Sequence, residues 1–314
     1  MHDDRDTPRR DAEAELRSRG RGPGHRSGAR PRPQFDEDME PTIEIRHEET
    51  LKLNYEVAGE GQDIVLVHGL GLSSMKTWSR QVPVLSKHYR VHTYDVRGFG
   101  GSDNPTGRFS VQQHAYDLHA LLKTLGLQQV ILVGFSMGGW ISQQFTLDHP
   151  EMVKALVLSC TTSGLRPEGA KRFVERAAKV EALGTAPLAE EQIRNTFAPE
   201  SMAQQPDLID FYRRNFLDAK ENDPASYAAM FRALTVPHWT AQLGRITCPT
   251  LVVCGDADKG ITRGNTPTDA AEILHQGIPG SRLEVIAQGG HYAHLERPEE
   301  WNAMLKNFID TVAA

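Results

Sequence analysis

Four short apolar runs constrain the fold of this 314-residue chain more than any other feature. They are Asp63 to Val67 (DIVLV), Val130 to Val133 (VILV), Ala155 to Leu158 (ALVL) and Thr250 to Cys254 (TLVVC). A strand that is apolar at nearly every position is buried on both faces, which happens inside parallel sheets covered by helices. Thr42 to His47 and Leu51 to Val57 alternate instead, as half-buried strands of a hairpin do. Tyr89 to Tyr94 and Arg282 to Ile286 complete the strand pattern. Helical spacing fills the gaps. Ser110 is a suitable N-cap for a helix to Leu125, with Val111, Ala115, Leu118, Leu122 and Leu125 on one stripe and Gly126 as its stop. Further helices are predicted up to His149, near 268–277 and from Pro298 to Val312.

Between 164 and 236 the strand pattern disappears. Amphipathic stretches at 168–183, 188–197, 206–219 and 223–235 replace it. The expected architecture is therefore α/β: a mostly parallel eight-stranded sheet flanked by helices. Residues 39–163 and 237–314 form the core, and 164–236 form a helical cap inserted after about the sixth strand. Ligands of open α/β sheets bind at the carboxyl ends of the strands, beneath such a cap.

Residues 1–38 differ in composition. They hold nine Arg, no Lys, many acids and little that is apolar. Such a segment buries too little surface to offset its ordering entropy, so it is read as a disordered tail. It lacks the apolar stretch of a secretory signal, and its acids argue against a transit peptide. A net charge of −6 disfavours nucleic acid as a partner. Three irregularly spaced cysteines suggest free thiols in a reducing, cytoplasmic setting. No apolar run is long enough to span a bilayer. Assembly into homo-oligomers stays open.

Gly134-Phe-Ser136-Met-Gly138 lies between an apolar strand and a helix. A G-x-S-x-G segment in that context forms a sharp turn with the serine hydroxyl raised above the sheet. Side chains at the glycine positions would collide with neighbouring backbone. The first helical amide, Met137, then faces developing negative charge. Ser136 is the candidate nucleophile.

A serine needs a base. Of thirteen histidines, His291 follows a strand and the pair Gly289-Gly290, at the sheet's carboxyl edge. His294 is the competitor. The imidazole in turn needs a carboxylate. Asp256 and Asp258 both follow the strand ending at Cys254, and Asp258 extends further toward the histidine loop. His68-Gly69-Leu70-Gly71, after an early strand, offers the Leu70 amide as a second oxyanion donor beside Met137. Asp95, Arg97, Gly98 and Gly100 match no phosphate-loop spacing; an Asp–Arg pair holding a loop is expected there. Trp78, Phe135, Trp140, Phe211, Tyr227 and Met230 are candidates for lining an apolar substrate pocket.

Together HGLG (68–71), DVRGFGGSD (95–103), GFSMGG (134–139), GDAD (255–258) and GGHYAHLERPEEW (289–301) resemble the α/β-hydrolase superfamily over about residues 41–312. Within it the chain looks like 3-oxoadipate enol-lactonases and related carboxylesterases. It departs from them at His68-Gly69, where Asn-Ser is common. The resemblance implies cofactor-free and metal-free cleavage of a small-molecule ester or lactone through an acyl-enzyme on Ser136. Three other readings share the fold: hydrolysis of a C–C bond in a meta-cleavage product, transfer of the acyl group to another acceptor such as peroxide, and non-catalytic ligand binding.

Overall fold

The computed structural model describes residues 42–46, 50–104, 109–218, 222–259 and 267–313. The tail expected over residues 1–38 lies outside the described residues. The strands are Thr42–Arg46 (β1), Thr50–Ala58 (β2), Asp63–Val67 (β3), Arg90–Tyr94 (β4), Val130–Phe135 (β5), Val153–Ser159 (β6), Thr250–Gly255 (β7) and Arg282–Ile286 (β8). They form one sheet in the order β1-β2-β4-β3-β5-β6-β7-β8. The β1–β2 and β2–β4 pairs are antiparallel and the rest are parallel.

The chain order of helices is Ser74–Thr77 (α1), Val82–Leu85 (α2), Val111–Thr124 (α3), Met137–Asp148 (α4), Pro167–Leu183 (α5), Ala189–Thr196 (α6), Pro199–Gln204 (α7), Pro206–Leu217 (α8), Pro224–Ala233 (α9), Pro267–Gly277 (α10), Ala293–Glu296 (α11) and Pro298–Ala313 (α12). Burial explains the apolar runs. In β5 and β7 every residue is buried, and in β3 and β6 one position each is not. β8 is an edge strand, and only Ile286 in it is buried. Ser110 caps α3 by accepting the Gln113 amide at 3.0 Å. The insert holds one helix more than its sequence pattern suggests. Pro199 opens α7 in the gap between two expected helices, with its fixed φ at the first helical turn. Helices α5 to α9 lie between β6 and β7 and belong to the same compact unit as the sheet.

Register brings the loops that carry the candidate residues to one level. Val67 pairs with Gly134, Phe135 with Ser159 and Gly255 with Ile286. The residues that follow each of these strands therefore emerge along a single edge, under the insert. The loop after β4 departs from expectation. Arg97 does not pair with Asp95; it forms two hydrogen bonds with Asp117 on α3, at 2.5 and 2.6 Å. Asp95 instead accepts the Ser74 and Gly101 amides and the Asn54 side chain. A bidentate guanidinium needs a facing carboxylate, and the helix supplies one where the tight loop cannot. No helix among the described residues is long and apolar enough to cross a membrane.

Candidate active site

Ser136 occupies the turn between β5 and α4 with φ 53° and ψ −115°. A side chain other than glycine's is strained there by about 1–3 kcal/mol, and such strain persists only where surroundings enforce it. The enforcement is visible. The Ser136 amide donates to the Ser159 carbonyl at 2.9 Å, and the Thr161 hydroxyl donates to the Ser136 carbonyl at 2.9 Å. A Cβ on Gly138 would lie 2.1 Å from the Val67 carbonyl oxygen, and one on Gly134 would lie 2.4 Å from that of Gly138. The glycines thus let α4 pack directly on β3.

His291 follows β8 and reaches back over this turn. Its Nε2 lies 2.9 Å from Ser136 Oγ, and its Nδ1 lies 2.8 Å from Asp258 Oδ2. An ionised carboxylate only accepts, so Nδ1 carries the proton and Nε2 accepts from the serine hydroxyl. His291 is 6% and Asp258 3% exposed, which leaves little water to compete. Asp256, the alternative carboxylate, is exposed. Its amide serves the backbone, donating to the Ile286 carbonyl, while the Ala257 amide donates to that of Gly289. These bonds tie the aspartate loop to the histidine loop.

His294 lies elsewhere. Its ring packs among Trp78, Phe135 and Trp301. Burial pushes it down to about 3, so it is a neutral core residue. His68 holds its loop together: Nδ1 donates to the Gly69 carbonyl and Nε2 accepts the Val96 amide, both within 2.9 Å. The Tyr292 hydroxyl donates to the Leu70 carbonyl at 2.9 Å. Leu70 and Met137 share with Ser136 and His291 the walls of a cavity of about 40 Å³.

Glu296 joins the insert to the histidine loop. Its buried carboxylate accepts the Gly290 amide at 3.0 Å and the Ala198 amide at 2.9 Å. The His291 amide donates to the Thr196 carbonyl at 2.5 Å. A Cβ on Gly290 would fall 2.5 Å from that same carbonyl oxygen. Burial, helped by the nearby charge of Asp258, pushes the Glu296 carboxyl up to about 7 against the amides that favour its anion.

Cys160 Sγ, Asp258 and His291 offer ligand atoms within 4.8 Å of one another. Burial and the charge of Asp258 push the thiol well above its usual range, so it stands there as a neutral thiol. Both imidazole nitrogens are already engaged. This donor set suits proton transfer better than metal binding.

Of the six expected pocket residues, Trp140 and Tyr227 line the cavity. Trp78 is buried against Phe135 and Trp301. Phe135 packs against His291, with ring centroids 5.0 Å apart. Phe211 packs on the core, and Met230 turns its sulfur to His114 Nε2 at 3.2 Å. Spacing alone does not separate them: Tyr227, Phe231 and Leu234 line the cavity, whereas Met230, three residues from Tyr227 and four from Leu234, does not. Phe173 and Arg176 from α5, and Gln192 and Thr196 from α6, complete the wall. Spacings of three and four residues put each pair on one helix face, a pattern that core and cavity residues share.

A model of the family described as alpha/beta hydrolase fold matches residues 64–298. The chain is 28% identical to 3-oxoadipate enol-lactonase 2 of Acinetobacter baylyi over 261 residues, covering 82% of this chain and 94% of that protein. A thermophilic esterase from Thermogutta terrifontis superposes with a TM-score of 0.80 at 28% identity, covering 87% of this chain and all of the other. A bromoperoxidase from Bacillus anthracis gives a TM-score of 0.76 at 26% identity, with 86% of this chain and 100% of that one covered. A lactonase, an esterase and a peroxidase thus share this architecture, and kinship alone does not select among their reactions.

Proposed function

The chain belongs to the α/β-hydrolase family, and from that premise we propose that it is a serine hydrolase cleaving small carboxylic esters or lactones. The observation that carries this reading is the unbroken line from Ser136 Oγ through His291 to Asp258, at 2.9 and 2.8 Å. His291 Nε2 takes the hydroxyl proton as Ser136 Oγ bonds to the scissile carbonyl carbon. Asp258 holds the Nδ1 proton and stabilises the imidazolium. The amides of Leu70 and Met137 receive the oxyanion. The tetrahedral adduct collapses with the proton passing from His291 to the departing alcohol. Water, deprotonated by the same imidazole, then attacks the acyl-enzyme, which releases the acid and returns the proton to Ser136.

Helices α5 to α9 act as the cap. With the cap as it stands, a cavity of about 40 Å³ admits only a small acyl group. Cys160, Cys248 and Cys254 are unbridged, which supports a reducing, cytoplasmic setting. The test is Ser136→Ala. Turnover of p-nitrophenyl acetate should fall on the order of 10⁶-fold with the melting temperature nearly unchanged. A fluorophosphonate should label the native serine and not the variant. Retained turnover in the variant would overturn the assignment.

A further inference from the structure

Three consecutive carbonyls, on the loop that bears the Leu70 amide, are each held by a buried side chain. His68 Nδ1 donates to the Gly69 carbonyl at 2.8 Å, the Tyr292 hydroxyl to that of Leu70 at 2.9 Å, and Asn222 Nδ2 to that of Gly71 at 3.1 Å. None of these three side chains belongs to a residue more than 1% exposed. They come from three places: the loop itself, the position next to the base, and the connection between α8 and α9.

Leu70 stands between two glycines, so the peptide planes on either side of it can turn at little steric cost. Gly71 already sits at φ 105°. In a trans peptide the N–H points opposite to the C=O. Holding the Gly69 carbonyl therefore aims the Leu70 N–H, and holding the Leu70 carbonyl keeps the next plane from turning it away. An oxyanion donor is effective when it is aimed before charge develops, so this anchoring bears directly on the proposed chemistry.

The surroundings of Tyr292 suit it to that task. Its ring stacks on Phe197 with centroids 5.5 Å apart, meets Tyr212 edge-on at 5.2 Å and packs on Phe135 at 4.9 Å. Burial holds the phenol proton far above its ordinary range, so the hydroxyl stays a donor. Asn222 reaches the loop from the insert. The neighbours of its Nδ2 are the carbonyl oxygens of Gly71, Phe216 and Asn215, which only an amide nitrogen can serve. The last two belong to α8, so one side chain binds the end of that helix to the oxyanion loop.

We propose that Tyr292 and Asn222 are positioning residues for the oxyanion hole: Tyr292 registers the Leu70 amide against the loop that carries His291, and Asn222 ties the same amide to the helical insert. This role rests on the hydrolase reading and adds to it.

The test compares p-nitrophenyl acetate with p-nitrophenyl thionoacetate. Both need the serine and the base. The developing charge sits on oxygen in one and on sulfur in the other, and sulfur accepts hydrogen bonds weakly. Tyr292→Phe keeps the ring contacts and removes the hydroxyl. Per active site titrated with the fluorophosphonate, kcat/KM for the oxygen ester should fall about 10- to 100-fold, mainly through kcat, which is less than the loss of a donor outright. The thionoester should slow by less than about 3-fold, so that the preference for oxygen shrinks. Asn222→Ala should move the preference the same way by a smaller factor, and it decides the matter if Tyr292→Phe does not fold. If both esters slow in equal proportion in the variants, or neither slows, the positioning role is wrong and the hydrolase reading stands. If the native protein neither cleaves the oxygen ester nor takes the fluorophosphonate at Ser136, both fall together.

Discussion

The carboxyl edge of the sheet and the helical insert above it position their side chains by different means. At the edge, backbone rests on backbone. Gly138 lies against the Val67 carbonyl, and Gly255 is so close to the histidine loop that a Cβ there would fall 2.1 Å from the Gly289 carbonyl oxygen. In the insert, side chain meets side chain: Phe173 on Phe231, Phe197 on Tyr212, Tyr227 on Phe216. Backbone contacts leave no freedom, because no rotamer change relieves them. Side-chain contacts can be repacked. The edge is therefore suited to fixed chemistry and the insert to adjustable specificity.

The harshest way to break that contrast is Gly138→Ala. The new methyl would need the Val67 and His68 carbonyls, 2.1 and 2.8 Å away, to move. We expect a loss of about 3 kcal/mol or more in stability. Fluorophosphonate labelling of Ser136 should slow at least about 100-fold, because displacing a reacting group by 1 Å costs on that order. A variant that keeps native melting and labelling would show the edge to be as plastic as the insert.

This difference also governs what could be read from the sequence. Backbone contact leaves a mark, since only glycine is tolerated. Gly134, Gly138 and Gly290 flank Ser136 and His291 for that reason, and their positions made the elbow and the histidine loop legible. The alternating strands and helices likewise fixed the sheet, because burial on both faces demands uninterrupted apolar runs. The insert leaves no such mark. An aromatic on an amphipathic helix has the same pattern whether it faces a cavity or a core, so Tyr227 and Met230 looked alike. Nothing in the amphipathic pattern over 168–183 sets Arg176 apart from the other charges on α5. The Glu296 contacts were equally hidden, since nothing local to α11 announces that Ala198 comes to rest against it.

Glu296 is where the two regions meet, and substituting it sharpens the comparison. Glu296→Gln keeps the volume but faces one of the two amides with a second donor. We expect kcat to fall about 10-fold, with KM moving less, as the loop carrying His291 loosens. Stability should reveal the titration. The carboxyl has an ordinary value of 4.5 and is pushed up to about 7 in the fold, chiefly by burial. Between those values the native state holds a proton that the unfolded chain has released. Its stabilising contribution is thus complete below about pH 4.5 and lost as pH rises through 7, up to roughly 3 kcal/mol. The melting temperature of the native protein relative to Glu296→Gln should therefore decline by several degrees from pH 5 to pH 8. A difference that stays constant across that range would show that Glu296 does not titrate between the two regions.

The mildest change lies wholly within the insert. Phe173 belongs to the walls of both cavities and packs edge-on against Phe231, with centroids 5.1 Å apart. Phe173→Ala removes that ring pair, at about 1 kcal/mol beyond the lost burial, while every contact of Ser136, His291 and Asp258 stays in place. The partition between a space of about 40 Å³ and one of about 260 Å³ would then open. The optimum across p-nitrophenyl acetate, butyrate, hexanoate and octanoate should move toward longer chains by a few-fold in kcat/KM, because each buried methylene adds about 0.8 kcal/mol. Labelling of Ser136 by a small fluorophosphonate should change by less than the ester profile does. If both change together, the insert sets the chemistry as well as the fit, and the division between rigid edge and adjustable cover fails where it is least demanding.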